Sequence, residues 1–321
     1  MTVSTLHHPA GSLATPTHAV DLQPATAGWA FTALRVFSLA PRVERSNGTG
    51  EFEAMVLPLS AESVTITCDG EVIQLHGRSS VFARVSDFAY IPRDAEFTIS
   101  SETGGEVAVA MARCEERLDV RYGSSAEVPV ETRGAGPATR QVTNMMSPDT
   151  WPHASKLMCV ELLTPDGNWS SYPPHRHDDS PECPVNNEEI YYFRIGRAGT
   201  TDVDPDGFGM HRTYTPDGSI DANIVVRDGD VFCVPRGYHG PCIAAPGYTM
   251  YYLNVLAGPG GERSMAFCDD PTHHWVRDTW TGMATDPRVP MTDRNGVVAA
   301  VAQGFVKDVD VDASGSEEGR G

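Results

Sequence analysis

Short runs in which apolar residues alternate with polar ones, or follow one another directly, recur along most of the chain. Val, Ile, Tyr, Phe and Thr dominate these runs, and turn sequences such as Asp-Gly and Pro-Arg-Gly separate them. Long segments with a helical apolar period are scarce. The predicted strands are Ala30–Leu39, Ala54–Leu57, Val64–Cys68, Val72–Leu75, Phe88–Ile91, Phe97–Ser100, Val107–Ala112, Lys156–Leu163, Glu189–Ile195, Gly209–Thr215, Asn223–Arg227, Val231–Val234 and Tyr248–Val255. Strands of this length at short intervals predict an all-β protein.

The 321 residues are enough for two domains of ordinary size. The polar, Gly/Pro-rich segment Thr132–Thr139 marks a seam between two strand-rich halves. We therefore predict two antiparallel β-barrel domains of the jelly-roll type, at residues 28–139 and 140–300. Residues 1–27 show no periodicity and predict a flexible N-terminal arm, whereas residues 301–321 predict an acidic, solvated tail.

Charge and cysteine content narrow the classes of partner. With 24 Lys and Arg against 43 Asp and Glu, the net charge of −19 repels phosphate backbones, so we predict no nucleic-acid partner. No stretch approaches the ~18 apolar residues of a membrane helix, and no basic signal-peptide start is present, so we predict no membrane contact. The seven cysteines show no CxxC pair, which predicts reduced, buried thiols in a cytoplasmic protein. The sequence is compatible with a homo-oligomer.

The stretch Ser171–His177, SYPPHRH, carries the first chemical signal. Pro173 and Pro174 disfavour a helix, so His175 and His177 are expected on an extended backbone, where residues two apart point to the same face. Two imidazoles on one face can chelate one transition-metal ion. By itself this pattern is a weak signal, because surface histidines also occur in pairs.

Two further elements downstream strengthen the metal hypothesis. Glu189 precedes an apolar strand, where a carboxylate is costly to bury unless it is paired or bound to a cation. Neighbouring Glu188 must face the opposite side of that strand, so only one of the two can be a ligand. The segment from Gly229 ends in a Pro-Arg-Gly turn followed by His239. This order of HxH, Glu and PxGxH is similar to the two-part signature of the cupin fold.

Three imidazoles and a carboxylate leave positions open on a divalent ion, which is typical of catalytic rather than structural sites. We therefore predict that His175, His177, Glu189 and His239 bind one divalent metal ion, with Zn, Mn and Fe as candidates. Residues 28–145 contain a single histidine, so the first half is predicted to lack such a site.

The second half closely resembles the 5-deoxy-glucuronate isomerase family, bicupins of myo-inositol breakdown that are related to 4-deoxy-threo-hexosulose-uronate ketol-isomerases. The matching stretches are RQVTN (140–144), GNWSSYPPHRHD (167–178), EEIYYFR (188–194), GFGMHRTY (207–214), GDVFCVPRGYH (229–239) and YYLNVLAG (251–258). The likeness extends over about residues 28–286 and is diffuse in the first half. It implies a bicupin fold, and it places His175, His177, Glu189 and His239 at the family's metal-ligand positions.

The resemblance implies aldose–ketose isomerisation of 5-deoxy-glucuronate, a sugar acid, to 5-dehydro-2-deoxy-gluconate. Such a substrate calls for an arginine against its carboxylate, and we predict Arg212 for this role, with Arg194 and Arg236 as rivals. Tyr214 shares the strand face of Arg212, and Tyr252 and Asn254 share a face of the last strand and are predicted to bind sugar hydroxyls. The general base is not identified. A metal-dependent cupin dioxygenase and a related uronate ketol-isomerase remain alternatives.

Overall fold

The computed structural model of the protein describes residues 6–234 and 236–298. The predicted acidic tail and Pro235 of the PxGxH motif lie outside the described residues. Every predicted run forms a strand. In the first part of the chain the strands are β1 (His7–His8), β2 (Val20–Leu22), β3 (Thr32–Leu39), β4 (Arg45–Gly48), β5 (Phe52–Pro58), β6 (Ser63–Cys68), β7 (Glu71–His76), β8 (Phe88–Ile91), β9 (Glu96–Ser101), β10 (Gly105–Arg113) and β11 (Arg121–Gly123).

The remaining strands belong to the second half. They are β12 (Val130–Arg133), β13 (Arg140–Thr143), β14 (Met158–Thr164), β15 (Trp169–Ser170), β16 (His175–Arg176), β17 (Asp178–Ser180), β18 (Cys183–Asn186), β19 (Glu188–Arg197), β20 (Phe208–Tyr214), β21 (Asp221–Arg227), β22 (Val231–Val234), β23 (Tyr238–Ala244), β24 (Tyr248–Ala257), β25 (Cys268–Asp269), β26 (Thr292–Asp293) and β27 (Gly296–Val297). Two four-residue helices, α1 (Pro24–Ala27) and α2 (Val276–Thr279), and a 3-10 helix at Gly136–Ala138 complete the described elements.

Two pairs of antiparallel sheets form the two halves, as the all-β prediction requires. In the first half a six-stranded sheet, ordered β11-β8-β5-β10-β3-β2, packs on a four-stranded sheet, β4-β9-β6-β7. In the second half a seven-stranded sheet, β1-β22-β19-β24-β14-β13-β12, packs on a six-stranded sheet, β21-β20-β23-β16-β25, in which β15 also pairs with β23. The predicted two-barrel architecture is thus confirmed.

The six-stranded sheet of the first half and the seven-stranded sheet of the second half pack against each other through an apolar cluster drawn from both. Strand β19 is consequently buried on both faces. Tyr191 and Phe193 point into the barrel of the second half, whereas Ile190 and Tyr192 point toward the first half. This double burial explains why the strand reads as a nearly continuous apolar run.

The structure corrects the N-terminal arm over the part that it describes. Leu6 is 1% exposed and lies in the core of the second barrel. His7 lies in β1, which pairs with β22, and its Nε2 lies 2.8 Å from Oδ2 of Asp230. Strand β2 then pairs with β3 of the first half. The segment lacks a periodic pattern because it crosses from one barrel to the other, so its few apolar residues serve different cores.

The predicted boundary at residue 139 also needs correction. Strand β12 pairs with β13 in the seven-stranded sheet, so Val130–Arg133 already belongs to the second barrel. The first barrel's last strand ends at Gly123. The Gly/Pro-rich seam is therefore a turn inside the second half.

The cysteines are not all reduced. Cys183 and Cys268 form a disulfide with Cα atoms 5.7 Å apart, although 85 residues separate them in the sequence. The other five cysteines are free and buried, as predicted. Within the described part of the chain, no helix is long and apolar enough to cross a membrane.

A buried ion pair joins the two halves. Arg78, from the loop after β7, pairs with Glu161 of β14, and their side chains are 1% and 4% exposed. The hydroxyl of Tyr251 donates a hydrogen bond of 2.6 Å to Glu161, and the Nε of Arg78 donates one of 2.9 Å to the carbonyl of Pro58. Because both charges are removed from water, each depends on the other.

We expect Arg78→Met to destabilise the protein by about 3–5 kcal/mol, because it leaves the Glu161 carboxylate buried without a counter-charge. The double variant Arg78→Met/Glu161→Gln should recover part of that loss. Urea denaturation monitored by fluorescence measures both. As a control, Arg42→Met removes an ion pair to Glu102 whose side chains are 79% and 73% exposed, and it should cost less than about 1 kcal/mol. Equal losses for Arg78→Met and Arg42→Met would contradict the assignment.

Candidate active site and metal centre

Three strands of the second barrel bring the candidate ligands together. Glu189 of β19 points into the second barrel. Glu188 points to the first half and accepts hydrogen bonds of 2.8–2.9 Å from the backbone N–H groups of residues 30–32. His239 lies at the start of β23, directly opposite His175 of β16 in the antiparallel register. His177 follows β16 on the same extended segment. The opposite orientation of the two glutamates follows from the strand's pleat.

His177, Glu189 and His239 form a compact buried cluster. The Nε2 atoms of His177 and His239 each lie 3.0 Å from Oε2 of Glu189. The three residues are 5%, 4% and 0% exposed, and their potential ligand atoms all lie within 4.8 Å of one another. It is the one such group of three among the described residues.

His175 lies beside this cluster but not within it. Its ring centroid is 4.3 Å from that of His239 and 6.4 Å from that of His177. Its Nδ1 lies 3.3 Å from the carbonyl of Pro173, and its other face packs against Phe267 at 4.7 Å. The structure thus brings three of the four predicted ligands together and leaves the fourth in ring contact with one of them.

Burial and neighbouring charges shift the pKa values of the candidate ligands, and the direction differs from one residue to the next. Burial lowers the pKa of His239, and burial together with the neighbouring His239 lowers the pKa of His175 well below its usual value. Burial acts in the same direction on His177, but the hydrogen bond and charge of Glu189 outweigh it and raise the pKa of that imidazole. Burial alone would raise the pKa of Glu189, yet the two imidazoles hold it below its usual value. The ionised Glu189 therefore lies beside two imidazoles, those of His175 and His239, that favour the neutral form, and such a donor set is suited to a cation.

The surroundings of the imidazoles fit a metal ion. Nδ1 of His177 lies 3.0 Å from the carbonyl of Asn187, and donation of its N–H there leaves the Nε2 lone pair directed at the cluster. Neither ring nitrogen of His239 makes a well-oriented hydrogen bond to any described residue, although both are buried. A buried imidazole with unused nitrogens is costly unless something else binds it.

Gly240 has φ of 94°, and a Cβ there would lie 1.8 Å from the Ser171 carbonyl, so only glycine permits this approach.

A cavity of about 720 Å³ opens onto the cluster. Its wall includes His175, His177 and Glu189, whereas His239 lies behind them. The cavity is large enough for a six-carbon sugar acid and lies within the usual range for small-molecule sites. Beyond the cluster the polar side chains on its wall are Glu131, Arg133, Arg140, Asn144, Ser147, Asp149, Thr150, Ser171, Tyr172, Tyr191, Asn254, Arg263, Ser264 and Arg277.

Of the predicted substrate residues, Asn254 lines the cavity, and its side-chain nitrogen lies 3.5 Å from the Ile190 carbonyl. Tyr252 is fully buried behind the wall, and its hydroxyl lies 3.0 Å from Oγ of Ser171. The hydroxyl of Tyr191 contacts the same Oγ at 3.0 Å. Three hydroxyls therefore meet at one edge of the cavity.

The predicted arginines lie elsewhere. Arg212 and Tyr214 lie on the outer face of β20, where Arg212 is 41% exposed, stacks over the Tyr214 ring at 4.2 Å and approaches Asp221 at 3.7 Å. The residues of β20 that face into the barrel are Gly209, His211 and Thr213. The shared face was inferred correctly, but it is the outside of the barrel. Arg194 points toward the first half and pairs with Asp228 at 2.7 Å and Glu106 at 2.6 Å.

Sequence reasoning missed Arg140, Ser171 and Tyr191 as parts of the cavity wall. All three lie in the stretches that carry the family resemblance, and Arg140, Val142 and Asn144 alternate on one strand face. This alternation is a signal for a strand, but β13 has only four residues, which makes the signal weak.

The fold and this cluster define a bicupin with a histidine–carboxylate centre in its second barrel. Comparison with known proteins agrees. The model of the KduI/IolB family matches residues 6–276, and the chain belongs to that family. A protein of Geobacillus kaustophilus named 5-deoxy-glucuronate isomerase is 38% identical over 263 residues, covering 81% of this chain and 91% of the relative.

Two solved structures extend the comparison. The crystal structure of an IolB-like protein from Salmonella typhimurium LT2 is 31% identical with a TM-score of 0.75, and the match covers 84% of this chain and 98% of that one. Oxalate decarboxylase from Lactobacillus farciminis is 11% identical with a TM-score of 0.58, over 82% of this chain and 88% of its own. The second likeness concerns the fold alone.

Another buried histidine of this barrel, His211, gives a pH prediction. Nδ1 of His211 lies 3.0 Å from Sγ of Cys242, and Nε2 lies 3.1 Å from Oγ1 of Thr213. Burial, with a contribution from His239, lowers the pKa of His211 to about 3. In the unfolded chain the same imidazole titrates near 6.5, so as the pH falls below that value the unfolded state takes up a proton that the folded state does not.

The neutral His211 therefore contributes stability that is present above about pH 6.5 and is lost as the pH falls toward 3. Between pH 7 and pH 5 we expect the wild type to lose about 2 kcal/mol more unfolding free energy than His211→Gln loses. Urea denaturation of both proteins at the two pH values measures the difference. Parallel losses in the two proteins would mean that His211 is not the group responsible.

Proposed function

We propose that this protein is a metal-dependent 5-deoxy-glucuronate isomerase, which converts the aldose to the ketose 5-dehydro-2-deoxy-gluconate in myo-inositol breakdown. The observation that carries the proposal is the buried His177–Glu189–His239 cluster at the wall of a sugar-sized cavity. It is supported by membership of the KduI/IolB family and by the name of the relative described above.

In this proposal His177, Glu189 and His239 would hold one divalent ion, and His175, whose ring contacts that of His239, is the candidate for a fourth ligand. Imidazole nitrogen and carboxylate oxygen suit Zn²⁺, Mn²⁺ and Fe²⁺ alike. When bound, such an ion supplies Lewis-acid stabilisation of the negative charge that develops on the enediolate oxygens.

The chain's own residues bind and orient the sugar. Isomerisation removes a proton from C2 and delivers one to C1, and a proton carrier that exchanges with solvent lets solvent hydrogen reach C1. Burial raises the pKa of Tyr191 well above its usual value, which keeps its hydroxyl protonated. With Ser171 and Tyr252 it forms a chain of hydroxyls that can donate hydrogen bonds to the sugar. Asn254 offers an amide on the same wall.

Turnover in heavy water tests the reaction. In anaerobic buffer containing Zn²⁺ or Mn²⁺, the purified protein should convert 5-deoxy-glucuronate to the ketose and place solvent deuterium at the carbon that receives the proton. Mass spectrometry and NMR of the product measure both. A dioxygenase would instead require O₂ and give an oxidised product. Turnover of 4-deoxy-threo-hexosulose-uronate in preference to 5-deoxy-glucuronate would indicate the related ketol-isomerase.

The metal role predicts the behaviour of His177→Ala. This variant should lose its bound divalent ion and reduce turnover by at least about 100-fold, because loss of even a residue that only supports a ligand costs 10–100-fold in affinity or activity. Elemental analysis and initial rates measure the two effects, and circular dichroism checks the fold.

The matched control is His76→Ala, since His76 is exposed on β7 of the first barrel. It should retain both the ion and the activity of the wild type. Unchanged metal content and turnover in His177→Ala would refute the metal role of the cluster.

A further inference from the structure

Four arginines line the cavity, and three of them already have partners. Arg277 donates to Oδ1 of Asp269 at 2.7 Å, and Arg133 donates to Oε2 of Glu131 at 2.6 Å. Arg263 is satisfied differently, because its guanidinium donates to three backbone carbonyls, those of residues 146, 151 and 157. Among the described residues none of these three side chains has a buried N–H group without a hydrogen-bond partner.

Arg140 differs from the other three. It is 6% exposed, and its Nη1 donates a hydrogen bond of 3.1 Å to the carbonyl of Ala138. Its Nε is buried without a hydrogen-bond partner. Within residues 6–234 and 236–298 the Arg140 side chain forms no ion pair. A guanidinium buried in this way is costly unless an anion reaches it.

The surroundings reinforce the need for an anion. Burial lowers the pKa of Arg140 to about 10, and the nearby positive charges of Arg133 and Arg277 act in the same direction. A carboxylate entering the cavity would reverse this loss. The guanidinium could hold it through two parallel hydrogen bonds, a geometry that lysine cannot reproduce.

We propose that Arg140 binds the carboxylate of the sugar-acid substrate and so selects acids over neutral sugars. This inference rests on the proposed function, since it takes the substrate class from it. Arg140 on β13 and Glu189 on β19 line the same cavity, with β24 and β14 between their strands in the sheet. A sugar acid with its carboxylate on Arg140 has its aldehyde end free to face the His177–Glu189 cluster.

Binding of an unreactive ligand pair tests the role separately from turnover. The probes are 5-deoxy-glucuronate reduced at C1 and the primary amide of that compound, which has nearly the same shape without the charge. Calorimetry with the Zn²⁺-loaded protein should show that the wild type prefers the acid. In Arg140→Gln the affinity for the acid should fall about 10²–10³-fold, while that for the amide changes less than about threefold. A merely structural role would weaken both ligands alike.

Arg140→Lys keeps the charge but not the forked geometry, and it should retain part of the preference, with about a tenfold loss for the acid. It also serves as the second variant if Arg140→Gln does not fold. Arg197→Gln is the control, because Arg197 is 71% exposed in a surface pair with Asp204. It should bind both ligands as the wild type does.

The outcomes separate the two proposals. If the wild type turns over 5-deoxy-glucuronate and both Arg140 variants keep the full preference for the acid, the role of Arg140 is refuted and the isomerase is not. A loss of the preference in Arg212→Gln instead would overturn Arg140 in favour of the outer-face arginine. If the wild type does not turn over the substrate, the proposed function fails, while the ligand pair still reports whether Arg140 recognises a carboxylate.

Discussion

The alternation of side chains along β19 is the constraint on which both the site and the assembly of the two halves depend. Glu188 faces the first half and caps three of its backbone N–H groups, while Glu189 faces the second barrel and lies between two imidazoles. A shift of one residue in the register of this strand would exchange the two carboxylates. Extensive pairing with β24, from Glu188 to Arg197, prevents such a shift.

The first barrel contributes to the site indirectly, by covering the sheet that carries Glu189. Buried polar groups of one half form hydrogen bonds and ion pairs with groups of the other half across this interface. Glu53 accepts hydrogen bonds from the backbone N–H groups of Ser155 and Leu157 at 2.8 and 2.6 Å, and Arg78 pairs with Glu161. Because each charge is satisfied only when the halves are docked, the interface has one favoured alignment. Substitutions there are expected to affect stability before they affect chemistry.

The cavity has a local charge pattern opposite to that of the whole chain. The net charge of −19 disfavours anionic macromolecules, yet four arginines line the pocket. Among the described residues Arg140 is the one of the four with a buried N–H group that has no hydrogen-bond partner. Recognition of a small anion depends on groups within a few ångströms, since distant surface charges are screened by solvent and salt. The acidic surface and a carboxylate-binding pocket are therefore compatible.

The sequence by itself determined the longer strands, the all-β class and the identity of the residues that converge on Glu189, because period-two alternation and turn residues are local signals. Short strands such as β1, β2 and β13 have too few residues to give such a signal. It also showed that Arg212 and Tyr214 share a face. Only the tertiary structure decided that this face is the outside of the barrel, that Arg140 lines the cavity, and that Leu6 and the Cys183–Cys268 disulfide tie distant segments together. These facts depend on which sheet covers which face and on contacts between residues far apart in the chain, and no local pattern encodes either.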